Sequence, residues 1–221
     1  MAKIALFGAT GSIGTRVLQE ALARGHEVTA VVRDPSKLTG GAADGKGCAV
    51  VLGDVLDPAS VAVAGAGHDV VVSTFGPGAG DPGALVNAAK SLVGGVQSLG
   101  ADSPWPRLVT VGGAGSLRTP GGPLVWDAAD VPEPVLALMH AHGDALDFLR
   151  TVPVEEVRWT SLSPAAQIEA GERTGVYRLG LDDLVVDTDG RSWISTEDYA
   201  VALVDEVERD AHPGVRFTVG Y

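Results

Sequence analysis

Three glycines spaced three residues apart, directly after a short apolar run, restrict what this chain can fold into more than any other feature. Lys3-Ile4-Ala5-Leu6-Phe7 reads as a buried strand, and Gly8-Ala9-Thr10-Gly11-Ser12-Ile13-Gly14 turns it into a helix that runs to about Arg24. Gly25 ends that helix, and Glu27-Val28-Thr29-Ala30-Val31-Val32 is a second strand. A βαβ unit of this length is the kind that binds a dinucleotide. Gly8 permits the tight turn, Gly11 lets backbone approach a pyrophosphate, and Gly14 lets the helix pack closely on the sheet. Phosphates would sit on the free N–H groups of the helix's first turn, where the dipole is positive. Thr10, Ser12 and Ile13 complete that turn as cofactor contacts.

The spacing G-x-x-G-x-x-G, read as Gly-Ala-Thr-Gly-x-Ile-Gly, resembles the short-chain dehydrogenase/reductase superfamily. More narrowly it resembles the atypical, NmrA-like branch that includes the flavin reductase biliverdin reductase B. The resemblance extends over nearly the whole chain. It implies a doubly wound, parallel-sheet Rossmann α/β fold with a small C-terminal substrate lobe, and a nicotinamide cofactor.

Composition bounds the alternatives. A chain of 221 residues suits one domain, residues 1–221, with room for a sizeable core. The net charge of −12 argues against a general nucleic-acid binder, which needs a basic face. No apolar run is long enough to span a membrane, and no secretory signal pattern opens the chain. The single cysteine, Cys48, excludes an internal disulfide framework and leaves the cytoplasm as the expected compartment. The expected partner is a small-molecule substrate; the oligomeric state stays open, with a homodimer among the options.

The later stretches fill in the site. Arg33 ends the second strand, where an arginine accommodates a 2′-phosphate, so NADP is favoured over NAD, with Lys37 as help. Asp34 would serve the ribose of NAD instead if the register slipped by one residue. A third strand, 48–52, leads to Gly53-Asp54-Val55, which the resemblance places by the adenine, with Asp54 near its amino group. Asp57-Pro58 opens a short helix to about Ala66. A fourth strand, 69–74, ends in Thr74-Phe75-Gly76, expected to line the nicotinamide-ribose side. A helix from Pro82 to Leu99 reads as scaffold, with Leu85, Ala88/Ala89, Leu92 and Val96 on one face.

The catalytic positions depart from the family pattern. A fifth strand, 107–111, gives Val111-Gly112-Gly113, where the superfamily carries a serine or threonine; Ser116 follows as a substitute, or backbone N–H groups serve. Residues 113–134 read as a substrate lid, its Pro/Gly-rich part 118–134 offering Leu124, Val125 and Trp126 as walls. The helix from about Val135 to Arg150 lacks the superfamily's Tyr-x-x-x-Lys pair. His142 lies roughly where the pair would be and should face the sheet, while His140 faces solvent. The proton donor is then His142, Ser116 or water, and the two histidines are a poor chelate, so no metal is expected. Trp159-Thr160-Ser161-Leu162-Ser163-Pro164-Ala165 resembles the family segment that passes the nicotinamide, with Ser163 and Pro164 as contacts. Residues 163–193 form the lobe, with short strands at 176–179 and 184–186. Ser195 or Thr196 caps a late helix whose Glu197 and Asp198 suit the dipole, and a last strand covers 215–219. The expected activity is an NADP-dependent reductase acting on a small carbonyl, quinone or flavin-like acceptor. A non-catalytic NADP(H) sensor and an isomerase or dehydratase are the alternatives.

Overall fold

A computed structural model describes residues 1–38, 48–78, 80–100, 106–128 and 130–221. The opening unit forms β1 (Lys3–Phe7), α1 (Ser12–Ala23) and β2 (Glu27–Val32). Gly25 stops α1 at φ 79°, a left-handed position where a Cβ is strained. A single 3₁₀ turn, Pro35–Lys37, follows β2. Then come β3 (Cys48–Leu52), α2 (Pro58–Gly65), β4 (Val70–Ser73), α3 (Ala84–Gln97) and β5 (Arg107–Val111). The short α4 (Val125–Ala128) and long α5 (Glu133–Arg150) lead to β6 (Trp159–Ser163). The chain ends with β7 (Gln167–Glu169), β8 (Arg178–Gly180), β9 (Trp193–Ser195), α6 (Thr196–Arg209) and β10 (Arg216–Gly220).

The main sheet runs β3-β2-β1-β4-β5-β6-β10-β8. Its strands are parallel except β8, which is antiparallel to β10. Parallel strands covered on both faces need near-continuous apolar sequence; Ile4 to Phe7 and Val70 to Val72 are all buried accordingly. On one face, Val17, Leu18 and Ala21 of α1 share a core with Tyr199, Leu203 and Val207 of α6. On the other, Val61 of α2, Leu92 and Val96 of α3 and Leu146 and Leu149 of α5 make a second core. The strand order reverses at β1, which pairs with β2 on one side and β4 on the other. At such a switch point the connections leave to opposite faces and open a crevice at the carboxyl ends of the strands.

Several details differ from the sequence reading. Residues 184–186 form no strand; Asp183 instead bridges to Arg118. The strands β7 and β9, which pair in parallel, carried too short a pattern to be read. Ser195 does cap α6, its Oγ accepting from the Asp198 N–H at 3.0 Å. The acids that follow do more than complement the dipole. Glu197 accepts from the Gly171 N–H at 2.8 Å and Asp198 from the Gly175 N–H at 2.7 Å. Arg173 makes a two-pronged contact, 2.7 and 2.8 Å, with the buried Glu20 of α1. These bonds fasten residues 171–175 onto α1 and α6.

Candidate cofactor groove and active site

The glycines of the first turn divide by what constrains them. Gly8 has φ 83°, and a Cβ there would lie 2.6 Å from Thr74 Oγ1. A Cβ on Gly14 would lie 2.0 Å from the Gly8 carbonyl oxygen. Both positions are closed by the protein itself. Gly11 differs: its φ of −81° suits any residue, and its Cβ would meet only the Gly8 oxygen at 3.4 Å. Among the described residues nothing forbids a side chain at Gly11, so the space in front of it is available to a ligand. Gly11 is also the N-cap of α1 and brings no side-chain cap, and the first turn holds no acid. The N–H groups of Ser12, Ile13 and Gly14 thus form an uncapped, positive helix end suited to phosphate.

A cavity of about 150 Å³ starts at this turn. Phe7, Gly8, Thr10 and Gly11 line it from β1 and the glycine turn; Val31, Val32 and Arg33 from β2; Gly53, Asp54 and Val55 after β3; and Thr74, Phe75 and Gly76 after β4. Four segments far apart in sequence meet here because the sheet brings their carboxyl ends side by side. Asp54 is oriented locally: Oδ1 accepts from the Leu56 N–H at 3.0 Å, while its own N–H donates to Ser60 Oγ at 2.9 Å. Asp57, not Asp54, caps α2 by accepting from the Ala59 N–H. Beyond Arg33 a second recess is lined by Thr10, Val32, Arg33, Asp34 and Lys37. Asp34 is engaged there as the cap of the 3₁₀ turn, whereas Arg33 is exposed at the strand end.

Another cavity lies behind Phe75, between the sheet, α3 and α5. Ser73, Thr110 and Ser161 contribute hydroxyls, Val111 and Gly112 backbone, and Leu85, Ala88, Ala89 and Leu92 of α3 with Ala145, Leu146 and Leu149 of α5 an apolar wall. His142 lines it, and burial lowers its pKa to about 4, so the imidazole is neutral near pH 7. Phe75 belongs to the walls of both cavities. His140 points the other way, exposed and packed against Trp126 in a tilted arrangement with ring centroids 4.6 Å apart.

The structure separates the expected site residues into groups. Gly8, Thr10, Gly11, Arg33, Asp54, Val55, Thr74, Phe75 and Gly76 meet in the first cavity. Val111 and Gly112 fall in the His142 cavity, and Gly113 is packed directly against His142. Ser163 and Pro164 are buried and outside both linings, their carbonyls accepting from Thr218 Oγ1, although Ser163 Oγ lies just behind Gly112. Ser116 is not brought to His142 either. Its Oγ accepts from Arg216 Nη1 at 2.9 Å, and that buried arginine also pairs with Asp182. A hydroxyl committed to a guanidinium is a poor replacement for the missing family serine.

The expected lid is also corrected. Trp126 packs back between Gly115 and Gly143, either of whose Cβ atoms would lie 2.9 Å from its ring. Leu124 bridges to Arg118, and the Val125 N–H bonds to the Leu117 carbonyl. Leu124, Val125 and Trp126 therefore stand outside both linings. Sequence reading missed the hydroxyls of Ser73, Thr110 and Ser161 and took α3 as plain scaffold. The signal available was a hydroxyl residue in each of three buried strands: Ser73 at the end of β4, Thr110 in β5 and Ser161 in β6.

A reversing parallel sheet, a glycine turn into an uncapped helix and a crevice at the switch point define a dinucleotide-binding Rossmann protein. The chain belongs to the NAD(P)H-binding family, whose model matches residues 8–210. It is 44% identical to a Burkholderia pseudomallei protein described as a putative exported protein, with all of each chain covered and a TM-score of 0.86. It is 41% identical to a Bacteroides thetaiotaomicron protein described as a putative epimerase, covering 100% of this chain and 97% of the other, with a TM-score of 0.87. It is 34% identical to a Streptococcus pneumoniae protein described as a putative NADH-flavin reductase, covering 100% and 99%, with a TM-score of 0.80. Among the described residues no helix is long and apolar enough to cross a membrane, and no cluster of three or more metal-ligating side chains occurs.

Proposed function

We propose that the protein is an NADP(H)-dependent reductase that passes hydride to a small carbonyl, quinone or flavin-like acceptor. The observation that carries this reading is the wall shared through Phe75: a groove at the glycine turn on one side, and a cavity with a half-buried, neutral histidine on the other. Bound NADPH would supply the hydride. The glycine turn and helix N-terminus would hold its pyrophosphate, Arg33 and Lys37 a 2′-phosphate, and Asp54 the adenine end. Thr74 and Phe75 would bound the nicotinamide end. The apolar wall of α3 and α5 would exclude water from the reacting atoms. His142 would donate a hydrogen bond as neutral imidazole, which suits acceptors whose reduced oxygen or nitrogen takes its proton from water. The Streptococcus relative supports a flavin among these acceptors. This reading places the protein in the cytoplasm, where reduced cofactor is at hand.

The Bacteroides relative favours a second reading, an isomerase that uses its cofactor without net consumption. Stopped-flow absorbance of bound NADPH against a panel of flavins, quinones and aldehydes decides between them. Oxidation by any acceptor supports the reductase. Substrate conversion with the NADPH signal restored after each turnover supports the isomerase. No oxidation and no conversion leaves a cofactor-binding sensor, for which the absent Tyr-x-x-x-Lys pair argues.

A further inference from the structure

We propose that Ser36 determines the cofactor preference by holding Asp34 out of the ribose site. The proposal rests on the NADP reading above and adds a residue to it. Asp34 shares its recess with Arg33 and Lys37. A carboxylate loose in that recess would accept from the ribose hydroxyls of NAD and repel the 2′-phosphate of NADP. In the structure it is not loose. Ser36 gives two donors to one oxygen, Asp34 Oδ1: its N–H at 3.1 Å and its hydroxyl at 2.7 Å. Two bonds to one atom fix the side-chain torsions and turn the carboxylate toward the Pro35–Lys37 turn. Pro35 stiffens the same turn by fixing its own φ. Arg33, exposed at the strand end, is then left to meet an anion, while Lys37 stays within reach of the Asp34 carboxylate. Ser36 acts through Asp34 and is a positioning residue, so only half of the device is visible at the strand end where specificity is usually read.

The test is a double-mutant cycle on cofactor binding, read by fluorescence titration of NADPH and NADH. Ser36→Ala removes the hydroxyl bond, the scale of which predicts a fall in the NADPH:NADH affinity ratio of about 2- to 10-fold. Weaker NADPH and tighter NADH should both contribute. Ser36→Thr keeps a hydroxyl and should restore the ratio. In an Asp34→Ala background, Ser36→Ala should change nothing, since its target is gone. A native ratio favouring NADPH that is unmoved by Ser36→Ala overturns the proposal, as does an equal effect of Ser36→Ala with and without Asp34. A native protein with no preference overturns the NADP reading and this proposal together, and the native titration reports that separately.

Discussion

The Cβ that Gly113 lacks would lie 2.7 Å from His142 Cβ and 2.8 Å from its Cγ. The family pattern places a hydroxyl side chain near this strand end; here the histidine of α5 fills the space and the strand end gives up its side chain. The two positions are one packed unit. Gly113→Ser, which restores the family residue, should therefore destabilise the protein by about 1–3 kcal/mol, the range for overpacking a core. Adding His142→Ala to Gly113→Ser should recover part of that loss. Urea melts of the two single variants and the double variant measure the coupling, and strictly additive effects would refute the pairing.

Gly11 and Gly14 should answer differently to the same change. Gly11→Ala should fold with native circular dichroism and native Tm, because its Cβ meets only the Gly8 oxygen at 3.4 Å. It should lose cofactor binding, and Gly11→Val more completely, because the side chain stands in the phosphate space. Gly14→Ala should lower the Tm, since its Cβ would lie 2.0 Å from the Gly8 oxygen. Native NADPH binding by Gly11→Val would put the phosphate site elsewhere.

Arg33→Ala should weaken NADP by roughly 1.5–3 kcal/mol, the scale of a charge-assisted hydrogen bond, and barely touch NAD. Calorimetric titration of both cofactors measures this. An equal loss for NAD would mean that Arg33 serves the fold or the adenine and not a 2′-phosphate.

His142 should make stability depend on pH. Burial depresses its pKa to about 4, against about 6.5 for an unperturbed histidine. Between those values the unfolded chain binds the proton and the folded chain does not, so stability rises with pH across this window and is complete above it. The contribution lost on acidification from pH 7 to 4 is roughly 3 kcal/mol by that difference. His142→Phe should flatten this part of the profile in urea melts at stepped pH. The same neutrality means that His142, if it gives a proton, gives it from the neutral imidazole. Turnover should show no His142 break between pH 6 and 8, and a break near 6.5 that disappears in His142→Phe would contradict the neutral state.

The frame of the fold was legible along the chain because it is local. The first βαβ unit, the strand ends near Ser73 and at Val111 and the Ser195 cap each follow from periodicity, a glycine or a capping side chain within a few residues. Most of the lining of the cavity at the switch point was legible too, since Gly8, Gly11, Arg33, Asp54 and Phe75 all sit just past strand ends. Parallel strands place those ends on one edge whatever the packing between them.

Tertiary contacts decided the rest, because they join residues whose separation carries no local pattern. Nothing near Ser116 shows that Arg216, a hundred residues on, takes its hydroxyl. Nothing in the Pro/Gly-rich run shows that Trp126 finds a slot between Gly115 and Gly143 and so is withdrawn from the site. The difference between Gly11 and Gly14 is likewise invisible in the G-x-x-G-x-x-G spacing, since it depends on where the Gly8 carbonyl points. The sequence alone determined the parallel sheet and the glycine turn at its edge, through periodicity and backbone freedom. Which hydroxyls are spent on structure, and which histidine is stripped of its charge, depended on packing across α3, α5 and the sheet, where desolvation and close contact act between distant parts of the chain.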